Sequence, residues 1–335
     1  MNPEFTKNLG RLWAIGSAFR KRKTVLPYFP SRLWIEVTSH CNLRCPLCPN
    51  RDLPPEKKGF LDFDLFREVV DQSAGRAHDF YLFHRGEPLL HPRLAEMAAY
   101  AERRGIPSRI HTNATLLTDS LAGKLLDSGL RWLSFSFDGY DATTYERNRP
   151  PARFADTLSR IERFLILKKR RKLHRMTTVL QIMGVPAGTK DPRLSELTRR
   201  LKSLGLDRVV YRRPHNWGGL VSTSPSPFRT PPRPGCCTFP WYALAVYWDG
   251  TVGPCPQDFQ GEMILGKVGK QTLTEIWNGP AMQRHRQLLA RKAYEGLKVC
   301  ALCDRPRRPQ IAGVPLEYAR AFLKDKLLGY RQERN

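Results

Sequence analysis

No apolar run in this 335-residue chain approaches the ~20 residues that a membrane-spanning helix needs. Its start, MNPEFTKNLGRLW, lacks the basic, apolar and small-residue layout of a secretory signal, so the cytoplasm is the expected location. Acidic residues are scarce: 31 Asp and Glu stand against 56 Lys and Arg, a net charge of +25. That excess favours anionic partners such as phosphates, nucleic acid, an acidic peptide or a membrane surface, without choosing among them. A solvated basic surface is the plain alternative. Cysteine is missing from residues 49–235 and again after 303; the eight present form two groups, Cys41/Cys45/Cys48 and Cys236/Cys237/Cys255/Cys300/Cys303. In a reducing compartment, such clusters are more often metal ligands than disulfides.

Residues 1–30 place Phe5, Leu9, Trp13, Ile15 and Phe19 among basic side chains, which predicts a basic amphipathic helix ended by Pro27–Pro30. Its apolar face could cap a barrel or lie on a membrane. From 33 to about 212, short apolar runs alternate with amphipathic stretches. Strands are predicted at Leu33–Thr38, Asp79–His84, Ser108–His111, Trp132–Phe137, Thr177–Met183 and Arg208–Tyr211. Helices fall between them, at Phe63–Ala74, Pro92–Arg104, Leu121–Leu126, Arg153–Lys168 and Arg193–Leu204. Six strands separated by helices indicate an α/β fold with a parallel sheet, open or barrel-shaped. The run Lys168–Lys172 reads as a solvated helix end. A Pro- and Ser-rich stretch around 214–235 reads as a linker. Beyond it, Ala243–Tyr247, the Asp249–Gly250 turn and Thr251–Val252 predict a hairpin, followed by a short helix at Thr272–Trp277. No internal repeat is evident.

The segment Thr38-Ser-His-Cys41-Asn-Leu-Arg-Cys45-Pro-Leu-Cys48-Pro-Asn50 follows the first strand. A C-x3-C-x2-C loop can present three thiolates to a cubane and leave one iron open for a ligand. A zinc site would want a fourth ligand, for which His40 is the adjacent candidate. The loop resembles the motif of the radical S-adenosylmethionine (SAM) superfamily, whose partial (β/α)6 barrel suits the strand–helix alternation. Leu47 stands where that family usually carries an aromatic residue.

Downstream segments follow the family's order. Phe83-His84-Arg85-Gly86-Glu87-Pro88 resembles the GGEP segment, with Arg85 replacing its first glycine. There the backbone receives the SAM amino group, and Gly86 would permit close approach. Thr112-Asn113-Ala114-Thr115 resembles the TNG turn, and Ser136-Phe-Asp138-Gly139 the SxDG strand end. The resemblance implies that Gly86, Glu87, Pro88, Asn113 and Ser136 line the SAM site and that Arg149 pairs with the SAM carboxylate. These segments fall at the C-terminal ends of strands, where barrel sites gather.

Cys237, the WDGTVGPC hairpin ending in Cys255, the LGKV step, the EIWN helix and Cys300-x2-Cys303 resemble the SPASM domain. No cysteine follows Cys303, so the count matches the shortened, single-cluster Twitch form. Four thiolates, Cys237, Cys255, Cys300 and Cys303, would close one [4Fe–4S] cluster. Cys236 is the competing ligand, set aside because Cys237 fits the family's C-x-x-P-W spacing before Pro240-Trp241. Structural zinc is the competing occupant.

The expected organisation is an N-terminal helix (1–30), a radical SAM core (31–215), a linker (216–235), a small SPASM/Twitch-like domain (236–310) and a basic C-terminal helix (311–335). The resemblance implies two [4Fe–4S] clusters and SAM, with a flavodoxin or ferredoxin as reductant. It implies reductive cleavage of SAM to a 5′-deoxyadenosyl radical that abstracts hydrogen from the substrate. With one closed auxiliary cluster, the leading expectation is two-electron oxidation of a small, polar, anionic substrate such as a sugar, cyclitol or phosphorylated compound. Modification of a ribosomally made peptide is the second, although no leader-binding region of ~80 residues precedes Leu33. A non-catalytic electron carrier is the third; it would need neither the GEP nor the SxDG segment. Asp258, close to Cys255, is the candidate base, and His215-Asn216-Trp217 is expected on the substrate side. Nucleic acid is not expected as a partner; peripheral membrane contact stays open.

Overall fold

The computed structural model describes residues 3–183, 189–222, 235–308, 310–311 and 314–315. Helix α1 (Pro3–Arg20) leads to strand β1 (Arg32–Ile35). Then come α2 (Phe63–Ser73), β2 (Asp79–Tyr81), α3 (Leu94–Arg103), β3 (Ser108–Thr112), α4 (Asp119–Asp127) and β4 (Trp132–Ser136). The series ends with α5 (Ala142–Asn148), α6 (Phe154–Arg170), β5 (Thr177–Met183), α7 (Pro192–Ser203) and β6 (Arg208–Arg212). The six strands run parallel in the order β6-β5-β4-β3-β2-β1. This is the partial (β/α)6 barrel, and its sheet does not close.

Leu33, Ile35, Phe80, Ile110, Leu133, Phe135, Leu180 and Ile182 are fully buried. They alternate with Trp34, Tyr81, Arg109, His111, Ser136 and Gln181, which therefore line the opposite, concave face, and Arg212 joins them through its register with Met183. One face of the sheet is thus an apolar seat for the helices, as a parallel sheet requires. Helix starts are fixed chemically. Asp62, Thr118, Asp141, Asp191 and Thr272 each accept a backbone N–H of the first turn, worth ~1 kcal/mol apiece.

The hairpin extends the same sheet. β7 (Ala243–Val246) pairs in parallel with β1, and β8 (Thr251–Gly253) and β9 (Gly266–Lys267) continue antiparallel, giving nine strands. The open edge of β1 is thereby covered by a strand whose four side chains are all buried. Helices α8 (Leu273–Asn278), α9 (Pro280–Ala290) and α10 (Lys298–Leu302) complete this region.

Three expectations need correction. The N-terminal helix stops at Arg20 rather than at Pro27, because residues 23–28 are held by groups far along the chain. Lys23 and Thr24 carbonyls accept from the Trp241 indole (3.0 Å) and Arg286 (2.6 Å). Asn278 brackets Leu26, and the Trp277 indole donates to the Tyr28 carbonyl (2.7 Å). The basic run at 168–172 is only partly a solvated end: the Lys168 ammonium is buried and pairs with Asp207 and Thr178. The C-terminal helix expected at 311–335 does not begin there: Gln310–Ile311 pairs antiparallel with Val314–Pro315 as a two-stranded ladder, and the rest of that segment, like 223–234 of the expected linker, lies outside the described residues.

Candidate functional site

The loop after β1 is held from several sides. The Glu87 N–H donates to the His40 carbonyl (2.8 Å), and the buried Asn50 amide donates to the carbonyls of Ser39 (2.7 Å) and Arg85 (2.9 Å). The Arg44 N–H reaches the Pro150 carbonyl (2.8 Å). Asn42 exchanges hydrogen bonds with Asn113 and Thr115, tying the loop to the turn after β3. Gly86 meets the loop itself: a Cβ there would lie 2.4 Å from the Thr38 and His40 carbonyl oxygens. The close approach expected toward a ligand is therefore made to the cysteine loop.

The Glu87 carboxylate is buried and accepts from Leu89 N–H (3.0 Å), Thr112 hydroxyl (2.6 Å) and Asn113 N–H (2.7 Å). Burial raises its pKa, against the pull of those donors. Glu87 thus fastens the turns after β2 and β3 together, with Pro88 buried beside it. Ala114, in the place of the family's glycine, sits at φ 61°, a left-handed conformation that costs ~1 kcal/mol or more for a residue with a Cβ. Ser136 lies half-buried at the C-terminal end of β4.

Arg149 is buried and pairs with Asp138, whose other oxygen accepts the Met183 N–H (2.8 Å). Its Nε is buried without a hydrogen-bond partner. Burial raises the thiols of Cys41 (to about 12), Cys48 (to about 11) and Cys45, while the Arg149 cation pulls Cys45 and Cys48 back down. All three thiols remain half-buried. A cation beside the thiols with an unspent, buried donor fits an anionic group bound next to them.

In the second group Cys255, Cys300 and Cys303 are buried. Burial raises all three thiols, Cys303 to about 12, and each is raised further by negative charge on Cys237. Arg305 opposes the rise at Cys237 and Cys303. The four thiols therefore share one neighbourhood. Cys236 faces elsewhere, toward Arg22 and Lys292, and lines a cavity with Phe19 and Arg20. Among the described residues no three His, Cys, Asp or Glu side chains converge tightly enough to grip a single metal ion.

Two family models match the chain: the radical SAM superfamily over residues 35–197, and the SPASM iron–sulfur cluster-binding domain over 236–304. The chain belongs to the radical SAM superfamily. Membership brings a [4Fe–4S] cluster and SAM to the first region and further iron–sulfur binding to the SPASM region.

Among relatives of this radical SAM enzyme is the cofactor-modifying protein of the tungsten-containing aldehyde ferredoxin oxidoreductase of Pyrococcus furiosus. It is 26% identical, with 81% of this chain and 87% of that protein covered. The SAM-dependent 2-deoxy-scyllo-inosamine dehydrogenase of Niallia circulans is 23% identical, with 82% and 92% covered. The fold is shared with Streptococcus suis SuiB bound to its precursor peptide SuiA, at a TM-score of 0.63 and 14% identity, with 81% and 69% covered.

The radical SAM and SPASM regions touch through residues that the motifs alone did not single out. Arg85 forms a buried two-pronged ion pair with Glu36 (2.5 and 2.6 Å) and lies 4.7 Å over the Tyr247 ring. It also donates to the Phe259 carbonyl (3.3 Å), and Glu36 accepts the Trp248 N–H (3.2 Å). His84 bonds the Pro256 carbonyl (2.8 Å). The available signal was the departure from GGEP: a charged residue in a glycine's place needs a partner.

Asp258 is fully buried, and its carboxylate accepts the N–H groups of Glu262 (2.9 Å) and Met263 (2.7 Å). That geometry makes it an organiser of the loop after Cys255. Asn216 likewise braces the cysteine pair, donating to the Leu302 carbonyl (2.8 Å) and accepting the Asp304 N–H (3.1 Å). The Trp217 ring packs edge-on against Phe259. Partly buried His215 is pulled down to about 3, first by desolvation and then by Arg308, Arg305 and Arg212. Among the described residues, no helix is long and apolar enough to cross a membrane.

Proposed function

We propose that this radical SAM enzyme oxidises a small, polar, anionic substrate by two electrons, with Cys41, Cys45 and Cys48 holding the SAM-binding cluster and Cys237, Cys255, Cys300 and Cys303 holding one auxiliary cluster. The observation that carries the reading is the direct contact between the two regions through His84, Arg85 and the loop after Cys255. When bound, SAM and its cluster supply a hydrogen-abstracting radical after one-electron cleavage, and a fully ligated neighbouring cluster supplies an acceptor for the second electron.

The chain's own residues do the positioning. Arg149, oriented by Asp138, offers its unspent Nε to the SAM carboxylate. Glu87 and Asn113 fix the turns that frame SAM, and Ser136 stands at the strand end facing it. The concave face supports an anionic substrate. His111 stacks on Phe83 at 4.1 Å and is pulled down to about 3, first by burial and then by neighbouring Arg212 and Arg109. A neutral imidazole among cations can donate to or accept from a substrate oxygen without adding charge. The dehydrogenase relative, matched over four-fifths of this chain, supports an alcohol-to-carbonyl outcome.

The test is anaerobic turnover of reconstituted protein with SAM, dithionite and a panel of phosphorylated or carboxylated sugars and cyclitols. One substrate should raise 5′-deoxyadenosine formation and appear as a product two mass units lighter. Turnover only with a peptide would move the substrate class, and no 5′-deoxyadenosine under any condition would leave an electron carrier.

A further inference from the structure

Helix α1 has two unlike faces. Ile15, Ala18 and Phe19 are buried; Phe19 meets the Trp241 ring edge-on at 5.3 Å, and Ile15 packs with Phe239 and Tyr242. The helix is therefore fixed to the molecule. The other face leaves Leu9 48% and Trp13 74% exposed, one turn apart. Trp13 shares an open groove of about 590 Å³ with Gly16, Ser17, Arg20 and Lys21. Around the end of the helix lies the cavity of about 500 Å³ that Cys236 lines, with Arg20, Arg22 and Lys292 in its wall and no acid. Among the described residues, Lys7, Arg20, Lys21, Arg22, Lys23 and Lys292 have no ion-pair partner.

A buried Trp would be explained by packing, and a stray exposed Leu needs no explanation. A tryptophan three-quarters exposed beside a leucine, bordered by unpaired cations, is a different arrangement. It pairs an amphipathic ring suited to the headgroup level with charge suited to anionic lipid. Nucleic acid would use the cations and could stack on Trp13, but it has no use for Leu9 or for Val25, 54% exposed just beyond the cationic run. Charge complementarity and the aliphatic neighbours favour a lipid surface.

We propose that α1 docks the protein peripherally on an anionic phospholipid surface. Leu9 and Trp13 enter the interface, and Arg20, Arg22 and Lys292 receive a lipid phosphate in the cavity beside Cys236. Neither cysteine cluster takes part, so this inference stands or falls apart from the proposed reaction.

The experiment is co-sedimentation of full-length, reconstituted protein with phosphatidylcholine vesicles, with or without 30% phosphatidylglycerol. Binding should require phosphatidylglycerol and weaken as salt rises. Trp13→Ala should weaken it about tenfold, and Arg20→Gln/Arg22→Gln/Lys292→Gln together about 100-fold, with iron content unchanged in both. Equal binding to neutral vesicles, no binding to either, or anionic binding indifferent to Trp13→Ala would each overturn the proposal. Tight binding of an oligonucleotide without vesicle binding would give this face to nucleic acid instead.

Discussion

Cys41, Cys45 and Cys48 stay partly exposed within eight residues of chain, whereas Cys255, Cys300 and Cys303 are each under 10% exposed and are joined by Cys237 from 18 residues before Cys255. The first group is held in place by neighbours that are not cysteines: Glu87, Asn50, Asn113 and the backbone against Gly86. The second gathers its four thiols from 67 residues of chain. A cluster in the first position ligates a loop the fold has already shaped. In the second it also ties together segments that the chain entropy would otherwise separate, so binding there is folding free energy as well. On the proposed ligand sets, the same residue type serves reactivity in one region and architecture in the other.

That contrast predicts the largest effect. Reconstituted wild-type protein should hold about eight irons, and replacing either group by alanine should leave about four. Cys41→Ala/Cys45→Ala/Cys48→Ala should abolish 5′-deoxyadenosine formation while leaving thermal unfolding within a few degrees of wild type. Cys255→Ala/Cys300→Ala/Cys303→Ala should lower Tm by about 10 °C or more, seen by calorimetry under anaerobic conditions. Equal losses of Tm in the two variants would break the distinction between a ligand-binding loop and a cross-linked region.

Much of the fold was legible because period and punctuation agreed. All six barrel strands lie where the apolar runs placed them, most within two residues at either end, and five barrel helices follow. The parts that were hidden depend on partners distant in sequence. Nothing around Ala243–Val246 announces that this strand would pair with β1 rather than form its own sheet. Nothing in residues 21–30 announces Trp241, Trp277, Asn278 and Arg286. Helices α5, α9 and α10 left little trace in the sequence: α5 and α10 are only seven and five residues long, and α9 buries His285 and Arg286 beside Met282 and Leu289, which blurs its apolar period. At the site, the motif residues stood in recognisable order, yet the work of Glu87, Gly86 and Asn50 in shaping the cysteine loop appears only in three dimensions. Asp258 was singled out by its proximity to Cys255; only in three dimensions do its two backbone amide partners and the burial that raises its carboxyl come into view.

A middle-sized effect sharpens the first region. Arg149 belongs to SAM rather than to the cluster if its unspent Nε is the donor that matters. Arg149→Ala should keep all the iron but weaken SAM binding about 10- to 100-fold, the range expected for losing a charge-assisted hydrogen bond. Arg149→Lys should recover little, since an ammonium cannot serve Asp138 and a carboxylate in the same fork geometry. SAM titration followed by the cluster's electron paramagnetic resonance signal reads both. Iron loss on Arg149→Ala would instead place the arginine with the thiols.

The smallest effect belongs to the two adjacent cysteines of the second region. Cys237 shares its surroundings with Cys255, Cys300 and Cys303, while its neighbour Cys236 turns to the cavity lined by Phe19, Arg20 and Arg22. Consecutive residues commonly point to opposite sides of an extended segment, so one thiol at most is expected to face the cluster. Cys237→Ala should cost about half the iron and lower Tm with it. Cys236→Ala removes one buried sulfur from the cavity wall and should cost ~1 kcal/mol or less, with iron and turnover unchanged. If Cys236→Ala lost the iron and Cys237→Ala kept it, the ligand would shift by one residue. The cavity beside α1 would then be part of the cluster's own shell, and the separation between the reactive region and the basic helix face would no longer hold.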